Sequence, residues 1–175
     1  NIGDFIGQQK EYSLGHTFSF PCRQQGVNKA ILLNWTKEIK AHDTEGKDIS
    51  TILEQALLRT KIFCVRPVAI INDTVGTLLA AAYKDKFAHI GSICGTGHNT
   101  CYFSADKFLE PMIVNLESGN FNKLTLNPVD DIIDKNSSKP GQQLLEKAVS
   151  GKYLGELARQ VFCILSIERG LNLKW

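Results

Sequence analysis

The chain reads as an α/β protein, and three stretches of it carry that reading. Residues 67–71 (Pro-Val-Ala-Ile-Ile) form an unbroken apolar run, as expected of a buried strand; it gives way to polar Asn72-Asp73-Thr74 and then to a small-residue helix, Leu78 to Tyr83. Residues 89–103 hold two apolar runs, Ile90 to Cys94 and Thr100 to Phe103, around Gly95-Thr96-Gly97-His98-Asn99, the pattern of a hairpin. After Pro140-Gly141, the helical spacing of Leu145, Val149, Leu154, Leu157, Val161 and Leu165 predicts one long helix from Gln142 to about Arg169 with these residues as its buried stripe. The succession of strands, helix, strand, helix, hairpin and helix is that of an α/β chain.

The remaining elements follow in order. Residues 14–20 predict a short strand that Pro21 stops, because proline cannot donate to a ladder. Residues 30–36 (Ala-Ile-Leu-Leu-Asn-Trp-Thr) predict a second strand, and residues 41–47 a polar loop. Asp48 can then cap a helix whose apolar face is Ile49, Ile52, Leu53, Ala56 and Leu57. From 115 to 139 the pattern is weak and polar, and it predicts no element. There is no internal repeat and no low-complexity segment.

Composition narrows the classes of function. The 175 residues suffice for one domain or parts of two; 43% are apolar and 22% charged, as in a globular protein. A net charge of +2, with the densest basic stretch (Lys37 to Lys47) interrupted by Glu38, Asp43 and Glu45, gives no footprint for nucleic acid. No apolar run reaches the ~18 residues of a membrane helix, and Asn1-Ile2-Gly3-Asp4 does not open a signal peptide. Cys22, Cys64, Cys94, Cys101 and Cys163 are odd in number and form no C-x-x-C, which points to free thiols in a reducing, cytoplasmic setting. There the sequons at Asn34, Asn72 and Asn136 carry no glycan. His16, His42, His89 and His98 lack metal-ligand spacing, so no metal site is expected in the chain itself.

Several positions carry chemistry. Asp73 sits at the carboxyl end of a predicted buried strand, where open α/β sheets place active sites. A carboxylate there can take a proton from an attacking hydroxyl, although Asn72-Asp73 equally suits a simple helix cap. The turn Gly95-Thr96-Gly97 can offer backbone amides and a hydroxyl to a phosphate, but tight hairpins want glycine anyway. There is no G-x-x-x-x-G-K-[ST], so the chain is not a P-loop protein. Lys37, after Trp35-Thr36 at a strand end, can stabilise charge on a phosphoryl group or simply be solvated. Glu117 and Glu146 are acceptor-only groups of the kind that sugar hydroxyls need, with nothing local to separate them from surface glutamates.

Together the segments resemble the eukaryotic-type hexokinase and glucokinase family. The blocks are Leu14-Gly15-His16-Thr17-Phe18-Ser19-Phe20-Pro21-Cys22, Asn34-Trp35-Thr36-Lys37, Ile71-Asn72-Asp73-Thr74-Val75-Gly76-Thr77 and Gly95-Thr96-Gly97-His98-Asn99-Thr100-Cys101-Tyr102, followed by Asn115-Leu116-Glu117-Ser118-Gly119 and 140–147 with 150–156. They occur in the family's order with similar spacing and cover nearly the whole chain.

The resemblance implies a ribonuclease H-like (actin-like ATPase) fold of two lobes closing over a sugar. Residues 1–71 would then belong to the small lobe and 72–175 to the large lobe. It implies ATP-dependent phosphorylation of a hexose (glucose, mannose or fructose) at the 6-hydroxyl, with Mg2+ carried by ATP. Ser19, Thr36, Lys37, Asn72, Asp73, Asn99, Glu117 and Glu146 would line the sugar pocket, with Asp73 as general base. Thr96, flanked by Gly95 and Gly97, would face the transferred phosphoryl group, with Lys37 near it. The family's glycine-rich phosphate loop and its adenosine segment have no counterpart in this sequence, so the resemblance implies an internal fragment that is inactive by itself. The sequence departs from the family at His98, where Ser or Thr is usual, at Ser118, where an aromatic residue is usual, and at His16, where Phe is common. Those departures keep open an alternative, a hexokinase-like sugar sensor without turnover.

Overall fold

The computed structural model describes residues 11–62, 64–105 and 111–170; the start of the chain at Asn1–Asp4 lies outside them. The chain divides into two compact units, Asn1–Leu79 and Ala80–Trp175, the first with two two-stranded sheets and the second with one three-stranded sheet.

In the first unit, β1 (Tyr12–Thr17) pairs in parallel with β4 (Val65–Ile71), and β2 (Cys22–Gly26) pairs antiparallel with β3 (Lys29–Leu32). The strand predicted over 14–20 runs from Tyr12 to Thr17, starting earlier than expected and ending before Pro21 is reached. Pro67 lies in β4, where the register shifts between Leu14 and Gly15, a place that tolerates a missing N–H. The apolar run 67–71 is not buried throughout: Ile70 is 1% exposed, but Val68 is 45% exposed, because only one face of this strand is covered. The strand predicted over 30–36 ends at Leu32. Beyond it the Leu33 N–H turns to the Pro21 carbonyl at 2.9 Å, and Trp35 leaves the ladder to bond Glu45. Strand β2 was not foreseen, since Cys-Arg-Gln-Gln-Gly has one half-buried residue and no apolar alternation.

Helix α1 (Ile49–Arg59) starts where expected, with the Asp48 side chain accepting from the Ser50 N–H. Ala30, Leu32, Ile49 and Ile70 form the core, packed by Phe18, Phe20, Cys22, Trp35 and Ile52. Leu32 is fully buried, and removing such a side chain from water stabilises by about 1.5–3 kcal/mol. Helix α2 (Asp73–Lys84) begins five residues earlier than the Leu78 start predicted, because Asn72 supplies the cap.

In the second unit, β5 (Ile90–Cys94), β6 (His98–Ser104) and β7 (Met112–Asn115) form an antiparallel sheet in that order. The hairpin over 89–103 is as predicted. Helix α3 (Pro128–Lys135) was not foreseen from its polar stretch, yet it carries a capping box, in which Asn127 and Asp130 each accept from the other's backbone N–H, and a proline in its first turn.

The single helix predicted from Gln142 is two helices, α4 (Leu144–Val149) and α5 (Gly151–Arg169), separated by extended Ser150. The break has a cause. The Gly151 N–H donates to the Gly95 carbonyl at 2.7 Å and the Lys152 N–H to the Thr96 carbonyl at 3.1 Å, so these donors serve the glycine turn and not the preceding helix. The extended residue also resets the helical phase, and the predicted stripe does not survive: Leu145 and Leu157 are half-buried, while Val149, Leu154, Val161 and Leu165 are exposed. Tyr153 is the buried residue of α5, and Leu157, Val161 and Ile164 line a groove of about 600 Å³ with Asn127, Pro128 and Val129 of the α3 start.

Candidate functional site

The first unit gathers Ser19, Thr36, Lys37, Asn72 and Asp73 on the segments that follow β1, β3 and β4. The Phe18 N–H donates to the Ile71 carbonyl at 2.8 Å, so Ser19 and Asn72 leave the parallel pair side by side at its carboxyl end. Lys37, held in the left-handed region at φ 59°, sends its Nζ to the Ser19 carbonyl at 2.7 Å and over the Phe20 ring, 5.0 Å from its centroid. Phe18, Phe20 and Trp35 pack edge to face beneath, with Phe20 and Trp35 centroids 4.6 Å apart. Thr36 lies between, its carbonyl accepting from the Ile39 N–H at 3.1 Å.

Asn72 and Asp73 divide their work. Asn72 Oδ1 accepts from both the N–H and the hydroxyl of Thr74, at 2.9 and 2.5 Å, which is the capping role. Asp73 Oδ1 shares the Thr74 N–H at 2.9 Å. Its second oxygen caps nothing among the described residues, and as the first residue of α2 the carboxylate lies at the positive end of the helix dipole.

The second unit gathers Gly95, Thr96, Gly97, Asn99, Glu117 and Glu146. Within the turn, the Gly95 N–H returns to the Gly97 carbonyl at 2.9 Å, while the Gly95 and Thr96 carbonyls are held by the start of α5 and the Thr96 side chain is exposed. Glu146, on α4, is 3% exposed. Its Oε2 accepts from the His98 N–H at 2.9 Å, and its Oε1 is buried without a partner. His98 Nδ1 and Ser150 Oγ are likewise buried and unpartnered among the described residues. A buried polar atom left unpaired costs about 1–3 kcal/mol, and native proteins keep such atoms mostly where something else will satisfy them.

Glu117 sits in the left-handed region at φ 51°, which turns the chain after β7 into a 3-10 turn at Ser118–Asn120. Asn99 Oδ1 accepts from the Thr100 and Ser118 N–H groups at 2.8 and 3.1 Å, and Asn115 links Asn99 to Glu117. His98 Nε2 and Ser118 Oγ approach to 3.3 Å, so the two departures from the usual pattern touch each other. Two participants, Asn115 and Gly119, lie in the family-like block 115–119 but are not among the site residues that the resemblance implies. Gly119 is required by crowding, since a Cβ there would lie 2.7 Å from the His98 carbonyl and 2.8 Å from Gln143 Oε1. Among the described residues no group of His, Cys, Asp or Glu could hold a metal ion, and no helix is long and apolar enough to cross a membrane.

Two hexokinase family models match the chain, one over residues 2–83 and the other over residues 89–173. The chain belongs to the hexokinase family. Human hexokinase-3 is 41% identical over 165 residues, covering 87% of the chain and 18% of that protein; human hexokinase-1 is 38% identical over 183 residues, covering 95% and 20%. The chain thus spans about a fifth of the length of these hexokinases. A hexokinase from Schistosoma mansoni complexed with glucose superposes with a TM-score of 0.79 at 38% identity, over 91% of this chain and 39% of that one. A second hexokinase crystal structure gives a TM-score of 0.68 at 40% identity, over 90% and 36%. The architecture is therefore the actin-like, ribonuclease H-like hexokinase fold expected from the sequence.

Proposed function

We propose that this hexokinase chain supplies the sugar site and part of the phosphate site for transfer of the γ-phosphoryl group of ATP to the 6-hydroxyl of a hexose, glucose foremost, in the cytoplasm. The observation that carries the reading is the pair of carboxylates with oxygens left over from structural duty: Asp73, whose capping is done by Asn72, and Glu146, whose Oε1 is buried and unpartnered.

In this reading, Glu146 and Glu117 accept hydrogen bonds from ring hydroxyls, which are donors that acceptor-only groups suit. Asn72, Asn99, Ser19, Thr36 and Lys37 complete the polar lining. The 6-hydroxyl oxygen attacks the γ-phosphorus as Asp73 takes its proton, and the bond from the γ-phosphorus to the bridging oxygen breaks, leaving ADP with the electron pair. Thr96, between Gly95 and Gly97, faces the migrating phosphoryl group, and Lys37 adds positive charge beside it. Mg2+, carried by ATP and not by residues of this chain, would supply charge neutralisation on the phosphates. Cys22, Cys64, Cys94, Cys101 and Cys163 form no disulfide among the described residues, which suits a reducing compartment.

A sugar-binding regulator without turnover is the second reading, favoured by the His98–Ser118 contact beside the phosphate turn. A coupled assay of the full-length protein with ATP, Mg2+ and glucose, fructose or mannose decides between them. Saturable glucose 6-phosphate formation is expected; glucose binding with no product would establish the regulator, and neither binding nor product would end both readings.

A further inference from the structure

We infer that Asn115 is a positioning residue that aims Glu117 and fixes the amide of Asn99, so that the two reach a hexose in one defined orientation. The inference rests on the proposed sugar site and adds to it the residue that sets its polarity. The register supplies the placement. Asn115 ends β7 opposite Cys101 of β6, and Asn99 lies two residues before Cys101 on the same face, so Asn99 and Asn115 are diagonal neighbours across the sheet. The left-handed turn at Glu117 then brings that carboxylate back to Asn115.

The hydrogen bonds run in one direction. Asn115 Nδ2 donates to Glu117 Oε1 at 2.5 Å, and Asn115 Oδ1 accepts from Asn99 Nδ2 at 3.1 Å. Asn99 Oδ1 accepts from the backbone N–H groups of Thr100 and Ser118. The two amide orientations are forced. Turned over, Asn115 would set its carbonyl oxygen against a carboxylate oxygen, and Asn99 would set its NH2 group against two backbone donors. With its oxygen accepting from two backbone N–H groups and one amide hydrogen given to Asn115, Asn99 keeps one N–H for an acceptor on the ligand, and Glu117 is presented as an acceptor for ligand hydroxyls. The site therefore distinguishes a hydroxyl that can both give and take from a group that can only do one.

The test compares Asn115→Asp with Asn115→Ala. Asp keeps the shape of Asn but replaces the donor to Glu117 by a negatively charged acceptor; Ala removes both bonds and admits water. If Asn115 only fills space, Ala is the worse change. If it positions Glu117, Asp is the worse change, raising the glucose KM of the full-length protein roughly 10- to 100-fold with the ATP KM unchanged, and Ala a smaller amount. Ala equal to or worse than Asp overturns the inference. A second readout needs no turnover. In 15N-edited spectra of the 175-residue chain, the Asn99 side-chain amide proton that Asn115 accepts should exchange slowly in wild type and Asn115→Asp, which still offers an acceptor, and quickly in Asn115→Ala. Rapid exchange in wild type would show that the chain of bonds does not exist and overturns the inference by itself. Full-length wild type that phosphorylates no hexose would count against the proposed function, and the amide exchange would still decide the orientation of Asn99 and Asn115.

Discussion

The proposed general-base role of Asp73 makes a sharp prediction, because Asn72 takes both the N–H and the hydroxyl of Thr74 whereas Asp73 only shares that N–H. Asn72 caps α2, so Asp73→Ala should leave the fold nearly unchanged in the full-length protein while lowering kcat by about 10²–10⁴-fold, the range for a lost general base. Near-normal turnover in that variant would return Asp73 to an accessory of the cap. Glu146 differs in being almost wholly buried, with one oxygen committed to the His98 N–H. Glu146→Ala should weaken glucose affinity on the order of 10–150-fold, as expected for hydrogen bonds to a charged group, and Glu146→Gln less, since the amide keeps one acceptor. Calorimetric titration of glucose into both variants checks the order; equal losses would mean that the unpartnered Oε1 meets no sugar hydroxyl.

At the scale of elements, α4 is anchored by a partly buried ion pair. Lys147 Nζ lies 2.6 Å from Asp134 Oδ1 of α3 and 2.9 Å from the Lys139 carbonyl. Burial pushes the Asp134 carboxyl up, but the Lys147 hydrogen bond, the Gly141 N–H and the Lys147 charge outweigh it and hold the group below its ordinary value of 3.8. A carboxyl depressed by folding contributes stability that is present above its unfolded value and lost as pH falls through the folded one. Urea unfolding of the chain should therefore show stability falling below about pH 4 in wild type, with less acid dependence in Lys147→Met. The same variant should lose about 3 kcal/mol near neutral pH, because Asp134 is left without its cation. An identical pH profile in the two would remove the ion pair from the account. This scale also shows how far the sequence could be read. Strand β4, the hairpin, α1 and its Asp48 cap were legible because local pattern and capping agree there. The split at Ser150 was not, since its cause is the Gly95-Thr96 turn more than fifty residues away, which takes the Gly151 and Lys152 donors. Strand β2 and helix α3 lacked an apolar period. Of the site, the proposed lining residues are those the family resemblance implies, but the parts played by Asn115 and Gly119 depend on cross-strand register and close packing that no local pattern reveals.

For the molecule as a whole, two units carry the two sets of candidate residues, and the chain spans only 39% of the glucose-complexed hexokinase it resembles. Phosphoryl transfer is almost entirely positioning and charge stabilisation of the phosphates, and only the Gly95-Thr96-Gly97 turn and Lys37 are proposed to face phosphate in this chain. The 175-residue chain alone should accordingly form no glucose 6-phosphate from ATP, Mg2+ and glucose, while the full-length protein should. Product from the purified chain would show that this turn suffices. Helix α5 also leaves Leu154 53% and Ile167 83% exposed, alongside half-exposed Phe162. Apolar surface of that extent favours self-association, so light scattering of the isolated chain should rise with concentration.

The stack of Lys37 on Phe20 on Trp35 gives the protein a built-in optical gauge. The indole Nε1 of Trp35 is tied to Thr44 Oγ1 at 2.8 Å, and its ring packs edge-on with Phe20, which also carries the Lys37 ammonium over its ring and packs against Phe18. Indole emission responds to nearby charge, so a ligand that draws Lys37 off the Ser19 carbonyl also shifts the field at the fluorophore. Glucose added to the full-length protein should change tryptophan emission, and Trp35→Phe should abolish most of that change while glucose affinity is retained. An undiminished signal in Trp35→Phe would mean that sugar leaves Lys37 where it stands. If that change is seen, the protein would report on its own occupancy by light, with no label attached and no reaction needed.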